Sequence, residues 1–164
     1  MKRTLLFALA IAVLVASGTA VFAAVDTKTV AVSATVSATA KLSLSGLTVS
    51  FPDADPDTTP TITATAIDVT AKGKTSAAGN ITLTVVAADD LKSGTDTIGI
   101  ANVTWTATGA GFAAGTMTKG PAQSLGSWTG SGNRTGTQTY KLANSWSYAT
   151  GAYSTSVTYT LTAP

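Results

Sequence analysis

Residues 151–164 read Gly151-Ala-Tyr-Ser-Thr-Ser-Val-Thr-Tyr-Thr-Leu-Thr-Ala-Pro164, and their alternation decides the fold. From Tyr153 the odd positions are Tyr153, Thr155, Val157, Tyr159, Leu161 and Ala163, while the even ones are Ser or Thr. Successive side chains of a strand point to opposite faces, so this is the pattern of a half-buried strand with bulky groups inward. β-Branched and aromatic residues fill it, and Gly151 supplies a turn before it. A closing strand of this kind predicts a sheet already built by the preceding chain.

Working outward, the same period recurs. Even positions from Val30 to Leu44 are Val30, Val32, Ala34, Val36, Ala38, Ala40, Leu42 and Leu44, with mostly Ser or Thr between them. This run is longer than the 3–10 residues usual for one strand. It predicts either a bent first strand crossing between sheets, or a segment (Val30, Val32, Ala34, Val36) donated to complete a neighbour's sheet. Further strands are expected at 47–51, 61–71 with a change of parity, 80–87, 98–107, 122–128 and 135–142. Residues 89–97 read as an exposed connection, and the Gly-rich 129–136 as the most flexible segment. Seven to nine antiparallel strands and no helical period after the N-terminal segment predict an all-β, Ig-like Greek-key sandwich. A barrel is the alternative.

The first 23 residues carry Lys2 and Arg3, an uncharged run from Leu5 to Val15 and a small-residue Val21-Phe-Ala23 site. That is the layout of a secretory signal peptide, leaving residues 24–164 as one domain, with a retained membrane anchor as the alternative. Without Lys2 and Arg3, eight basic residues balance eight Asp. Such neutrality argues against nucleic acid and against electrostatic membrane docking. Charged residues make up 11% of the chain, against roughly 25% in ordinary soluble domains. The surface is therefore Thr, Ser, Gly and Ala, as suits a secreted protein.

The chain has no His, no Cys and no Glu. The common general base, the thiol nucleophile and the soft metal ligands are thereby missing, which argues against an enzyme. A glycan-active enzyme would have to rely on pairs of Asp. Asp53, Asp55 and Asp57 alternate on a Pro-rich loop and offer oxygens of the type calcium needs, although turn chemistry accounts for Asp beside Pro equally well. No other cofactor is expected. Trp128, Trp146, Tyr148 and Asn144 lie in Gly/Ser-rich surroundings near loop ends. Exposed, they would stack on and hydrogen-bond to sugar rings; alternatively, the two Trp cap the open ends of the core.

Trp105-Thr-Ala107 with Phe112 after it, then Gly151-Ala-Tyr153, Val157-Thr-Tyr159-Thr-Leu161 and Ala163-Pro164, resemble the WxL domain of bacterial cell-surface proteins. Ala107 stands where that family has Leu, and Tyr159 where it has Trp. The resemblance covers about residues 100–164. It implies a secreted, non-catalytic domain attached non-covalently to peptidoglycan or working beside other surface proteins. The self-assembling fimbrial or coat subunit is the alternative expectation.

Overall fold

A chain this rich in β-branched residues and hydroxyls satisfies its backbone in sheets, and the computed structural model describes residues 24–164 accordingly. The expected signal peptide lies outside the described residues. Two units are distinguished, one ending at Ala34 and the other running from Thr35 to Pro164. Among the described residues no helix is long and apolar enough to cross a membrane.

Residues 24–34 are exposed and carry no regular structure. The unit from Thr35 is all-β, with eleven strands among the described residues. They are β1 (Thr39–Leu44), β2 (Thr61–Thr63), β3 (Ile67–Lys74), β4 (Asn80–Ala87), β5 (Leu91–Ser93), β6 (Asp96–Ile98), β7 (Val103–Thr108), β8 (Gly115–Thr116), β9 (Gln123–Thr129), β10 (Gly132–Ala143) and β11 (Val157–Thr162). One sheet has the order β1-β3-β10-β7-β8, with β2 also paired to β10. The other has the order β11-β4-β9, and β5 and β6 form a separate hairpin. Every pairing is antiparallel.

The inward faces follow the alternation. Val69 and Ala71 of β3, Tyr140 and Leu142 of β10 and Trp105 of β7 are buried on one side. Ile81, Leu83 and Val85 of β4, with Leu125 and Trp128 of β9, are buried on the other. These residues belong to one continuous apolar core, as a two-sheet sandwich requires.

Several local expectations need correction. The long N-terminal run is a strand only over Thr39–Leu44; residues 24–38 are exposed and form no strand pairing among the described residues. Residues 47–51 form no strand, although Val49 and Phe51 pack against the core. The exposed connection at 89–97 contains the β5–β6 hairpin, turned at Gly94 with φ 60°. The closing strand starts at Val157 and lies at the edge of its sheet. The parity change in 61–71 has a clear cause. Ile62 faces Leu142 whereas Ile67 faces Gln138, so five steps along one strand oppose four along the other. The extra residue is a bulge that restores the apolar side chains to the core face.

The segment read as most flexible, 129–136, instead opens β10, the twelve-residue strand at the centre of the larger sheet. Its glycine is a packing device. A Cβ on Gly136 would lie 2.2 Å from the Thr108 carbonyl oxygen and 2.7 Å from the Phe112 ring. Glycine there lets β7, β10 and the Phe112 arm approach closely. Gly136→Ala is expected to lower stability by about 2 kcal/mol in urea unfolding. Gly132→Ala, whose nearest neighbour would be the Arg134 head 3.5 Å away, is expected to stay within about 0.5 kcal/mol of the parent. Equal effects would contradict this packing account.

Candidate functional site

The two buried Trp serve one structural purpose. Trp105 donates from its indole Nε1 to the Ala113 carbonyl at 2.8 Å, and Trp128 donates from Nε1 to the Ala110 carbonyl at 2.8 Å. Both indoles thus hold the arm that connects β7 to β8. Phe112, in the middle of that arm, meets the Trp128 ring edge-on at 5.0 Å. Backbone bonds complete the attachment: Ala113 donates to Leu125 and Ser127 to Gly111 across β9. Gly109 and Gly111 take the positive φ values that this turn requires, 98° and 84°. Trp128 is only 7% exposed, so its ring is not available for stacking on a ligand. Trp128 is instead packed beneath the arm, against Phe112.

Trp146 differs. It is 69% exposed, and its indole donates to Asp57 Oδ1 at 3.0 Å. It sits in a turn where Tyr148 donates to the Ala143 carbonyl at 3.0 Å. Partial burial moves the Tyr148 phenol upward from its ordinary range. Asn144 is a strut: its Nδ2 donates to the carbonyls of Ala54 and Thr59, and its own N–H to that of Pro60. These bonds occupy both amide hydrogens, so Asn144 orders the 53–60 loop and has no donor left for a ligand. Of the four candidates for glycan contact, Trp146 alone presents a broad open face.

The Asp-rich loop is built by turn chemistry. Asp55 Oδ1 accepts from the Asp57 N–H at 2.9 Å, and the Asp55 carbonyl accepts from Thr58 and Thr59. With Asp57 engaged to Trp146, the alternating carboxylates of Asp53, Asp55 and Asp57 do not converge. Among the described residues no group of three or more such side chains is placed to hold a metal ion. The calcium reading of this loop is therefore corrected to a structural one.

The charged contacts lie elsewhere. Lys92 pairs with Asp89, and Lys119 pairs with Asp90 and, at 3.6 Å, with Asp89. The hydrogen bond from Lys92 holds the Asp89 carboxyl below its usual range, and that from Lys119 does the same for Asp90. Asp90 Oδ1 also accepts from the Ile100 N–H, and the Asp89 carbonyl accepts from Thr155. This cluster ties the β5–β6 hairpin to the segment entering β11.

Two features lay beyond the sequence reading. The first is a polar bridge between the sheets. Tyr159 of β11 donates to Gln138 Oε1 at 2.6 Å, and its hydroxyl meets that of Tyr140 at 2.7 Å. Gln138 is fully buried, and its Nε2 has no hydrogen-bond partner among the described residues. The same parity that turns Tyr140 and Leu142 inward also turns Gln138 inward, which is the signal that was available. The second is an apolar cleft of about 320 Å³ between Leu44 at the end of β1 and Val157 at the start of β11. Ile67, Val103 and Met117 are among its inner lining, with Leu47 at its wall.

The residues of the WxL resemblance map to packing positions. Trp105 holds the arm that carries Phe112, Tyr159 bridges the sheets, and Leu161 packs on the core from β11. Tyr153 donates to the Ala149 carbonyl at 2.9 Å in the preceding turn. No family model matches the chain, and no match to a curated protein was found.

Burial raises the phenols of Tyr140 and Tyr159 above their ordinary range. In the unfolded chain they ionise near pH 10 while the folded chain retains their protons, so stability is full below that pH and falls as pH rises beyond it. Tyr159→Phe is expected to cost about 1–2 kcal/mol at neutral pH by removing the donor to Gln138. The same variant should show a shallower alkaline decline in chemical denaturation from pH 9 upward. An unchanged neutral stability would show that the bridge contributes nothing.

Proposed function

We propose that this chain is a non-catalytic structural protein of the bacterial cell surface that self-associates through its N-terminal extension. The observation that carries this reading is the state of residues 24–38. They form no strand, and Val30, Val32 and Val36 are 80%, 92% and 76% exposed. A water-facing row of valines alternating with small or hydroxyl residues is a strand without a sheet, and strand addition to another protein is the ordinary way to satisfy it. The composition supports a non-catalytic role, since His, Cys and Glu are lacking. The N-terminal segment with its small-residue cleavage site supports secretion. Light scattering of the exported chain should show mass rising with concentration, and deletion of residues 24–38 should leave a folded species of one-chain mass. A full chain that stays monomeric at every concentration would contradict the proposal.

A second reading, association with envelope glycan in the manner the WxL resemblance implies, is favoured by Trp146. Its open indole face, fixed by Asp57, suits stacking on a sugar ring. Trp146→Ala should lower co-sedimentation with peptidoglycan at least several-fold while leaving thermal stability unchanged. Equal sedimentation of the two proteins would remove this reading.

A further inference from the structure

We infer that the apolar cleft between β1 and β11 is the acceptor for residues 30–36 of a second copy of this chain, with Val30, Val32 and Val36 as the inserted side chains. The inference rests on the self-association reading and names the surface that reading leaves open.

Three observations converge on that occupant. The cleft is bordered by sheet edges unpaired among the described residues, where β1 pairs only with β3, and β11 only with β4. Each edge leaves backbone N–H and C=O groups available to an added strand. The lining is mostly apolar, and Leu47 at the cleft wall is 91% exposed, which leaves its side chain open to an inserted strand. The donor matches in kind and in length. Seven extended residues span about 23 Å, enough to run the roughly 20 Å of the six-residue β11 edge. The side chains of Val30, Val32, Ala34 and Val36 would enter the cleft while Ala31, Ser33 and Thr35 face water.

Charge is consistent with this pairing. Residues 29–38 contain no charged side chain, so inserting them buries none. Within the domain, Lys92 is matched with Asp89 and Lys119 with Asp90, and among the described residues no charged side chain lines the cleft.

The chain has no cysteine, so a single introduced thiol reports unambiguously. Chains carrying Val32→Cys are mixed with chains carrying Leu47→Cys and oxidised gently. A covalent pair of one chain of each kind, at least ten-fold above either chain oxidised alone, is the expected result. Val30→Lys, Val32→Lys and Val36→Lys combined should abolish the parent's concentration-dependent mass; these residues are solvent-exposed, so the variant keeps the thermal unfolding that the parent shows at concentrations where it is monomeric. If the mass still rises with concentration in that triple variant and no mixed pair forms, association uses another surface, and this inference falls while the self-association reading stands. If the parent is monomeric throughout, both fall. Closure of a disulfide within one doubly substituted chain, or an apolar small molecule recovered from the purified protein, would also overturn the inference.

Discussion

Among the described residues, backbone bonds stitch the two sheets together at the Phe112 arm, whereas the β1–β11 side is joined by side chains, and most features of the molecule follow from that. On the β8–β9 side the arm around Phe112 is bonded to β9 through its backbone and held by two indoles. On the β1–β11 side no ladder joins the sheets among the described residues. There the connections are side-chain ones: the Tyr140–Tyr159–Gln138 bridge, and at the far end the Thr75 hydroxyl donating to the Pro164 carbonyl. The larger sheet is five strands wide along its main path and the smaller is three. Such a mismatch leaves apolar surface of the wider sheet to be covered by loops, and between Leu44 and Val157 the covering is incomplete.

The closed side shows how a chain without disulfides fixes a crossing. Two tryptophans whose N–H groups need acceptors when buried find them in the carbonyls of Ala110 and Ala113, so satisfying the indoles and anchoring the arm are a single event. Glycines at 109, 111, 126 and 136 make the room. A Cβ at Gly111 would lie 2.1 Å from the Trp128 nitrogen, and one at Gly126 would lie 2.5 Å from its ring. Glycine-rich segments that look slack in the sequence are here among the tightest places in the fold.

That explains which parts of the chain were legible. Period-2 alternation is local, and it located β4 to the residue, the inner face of β11, and Tyr140 and Leu142 of β10. What depends on a distant partner was not legible. Gly132 and Gly136 look like loop until β3 pairs with them at Gly73 and Val69, and Thr108 at the end of β7 closes on Gly136. Trp128 looks free until the arm at 109–113 folds over it, whereas Trp146, in a similar Ser-rich context, is free. The Asp loop offered carboxylates in a promising pattern, but Asx-type turn bonds and the Trp146 indole direct them apart. The run from Val30 to Leu44 had one pattern and two fates, because only its second half has β3 to pair with. The same fact that divides that run, exposed valines without a sheet and a sheet edge without a strand, points to association between copies.

The most direct measurement is residue-resolved hydrogen exchange of a chain comprising residues 24–164 at high and low concentration, followed at the amides of residues 30–36 and along β11. Strand donation predicts that at high concentration residues 30–36 exchange many-fold more slowly than a free chain, that amides on the outer edge of β11 or β1 slow with them, and that dilution reverses both. Exchange at residues 30–36 as fast as in a free chain at every concentration would contradict the account.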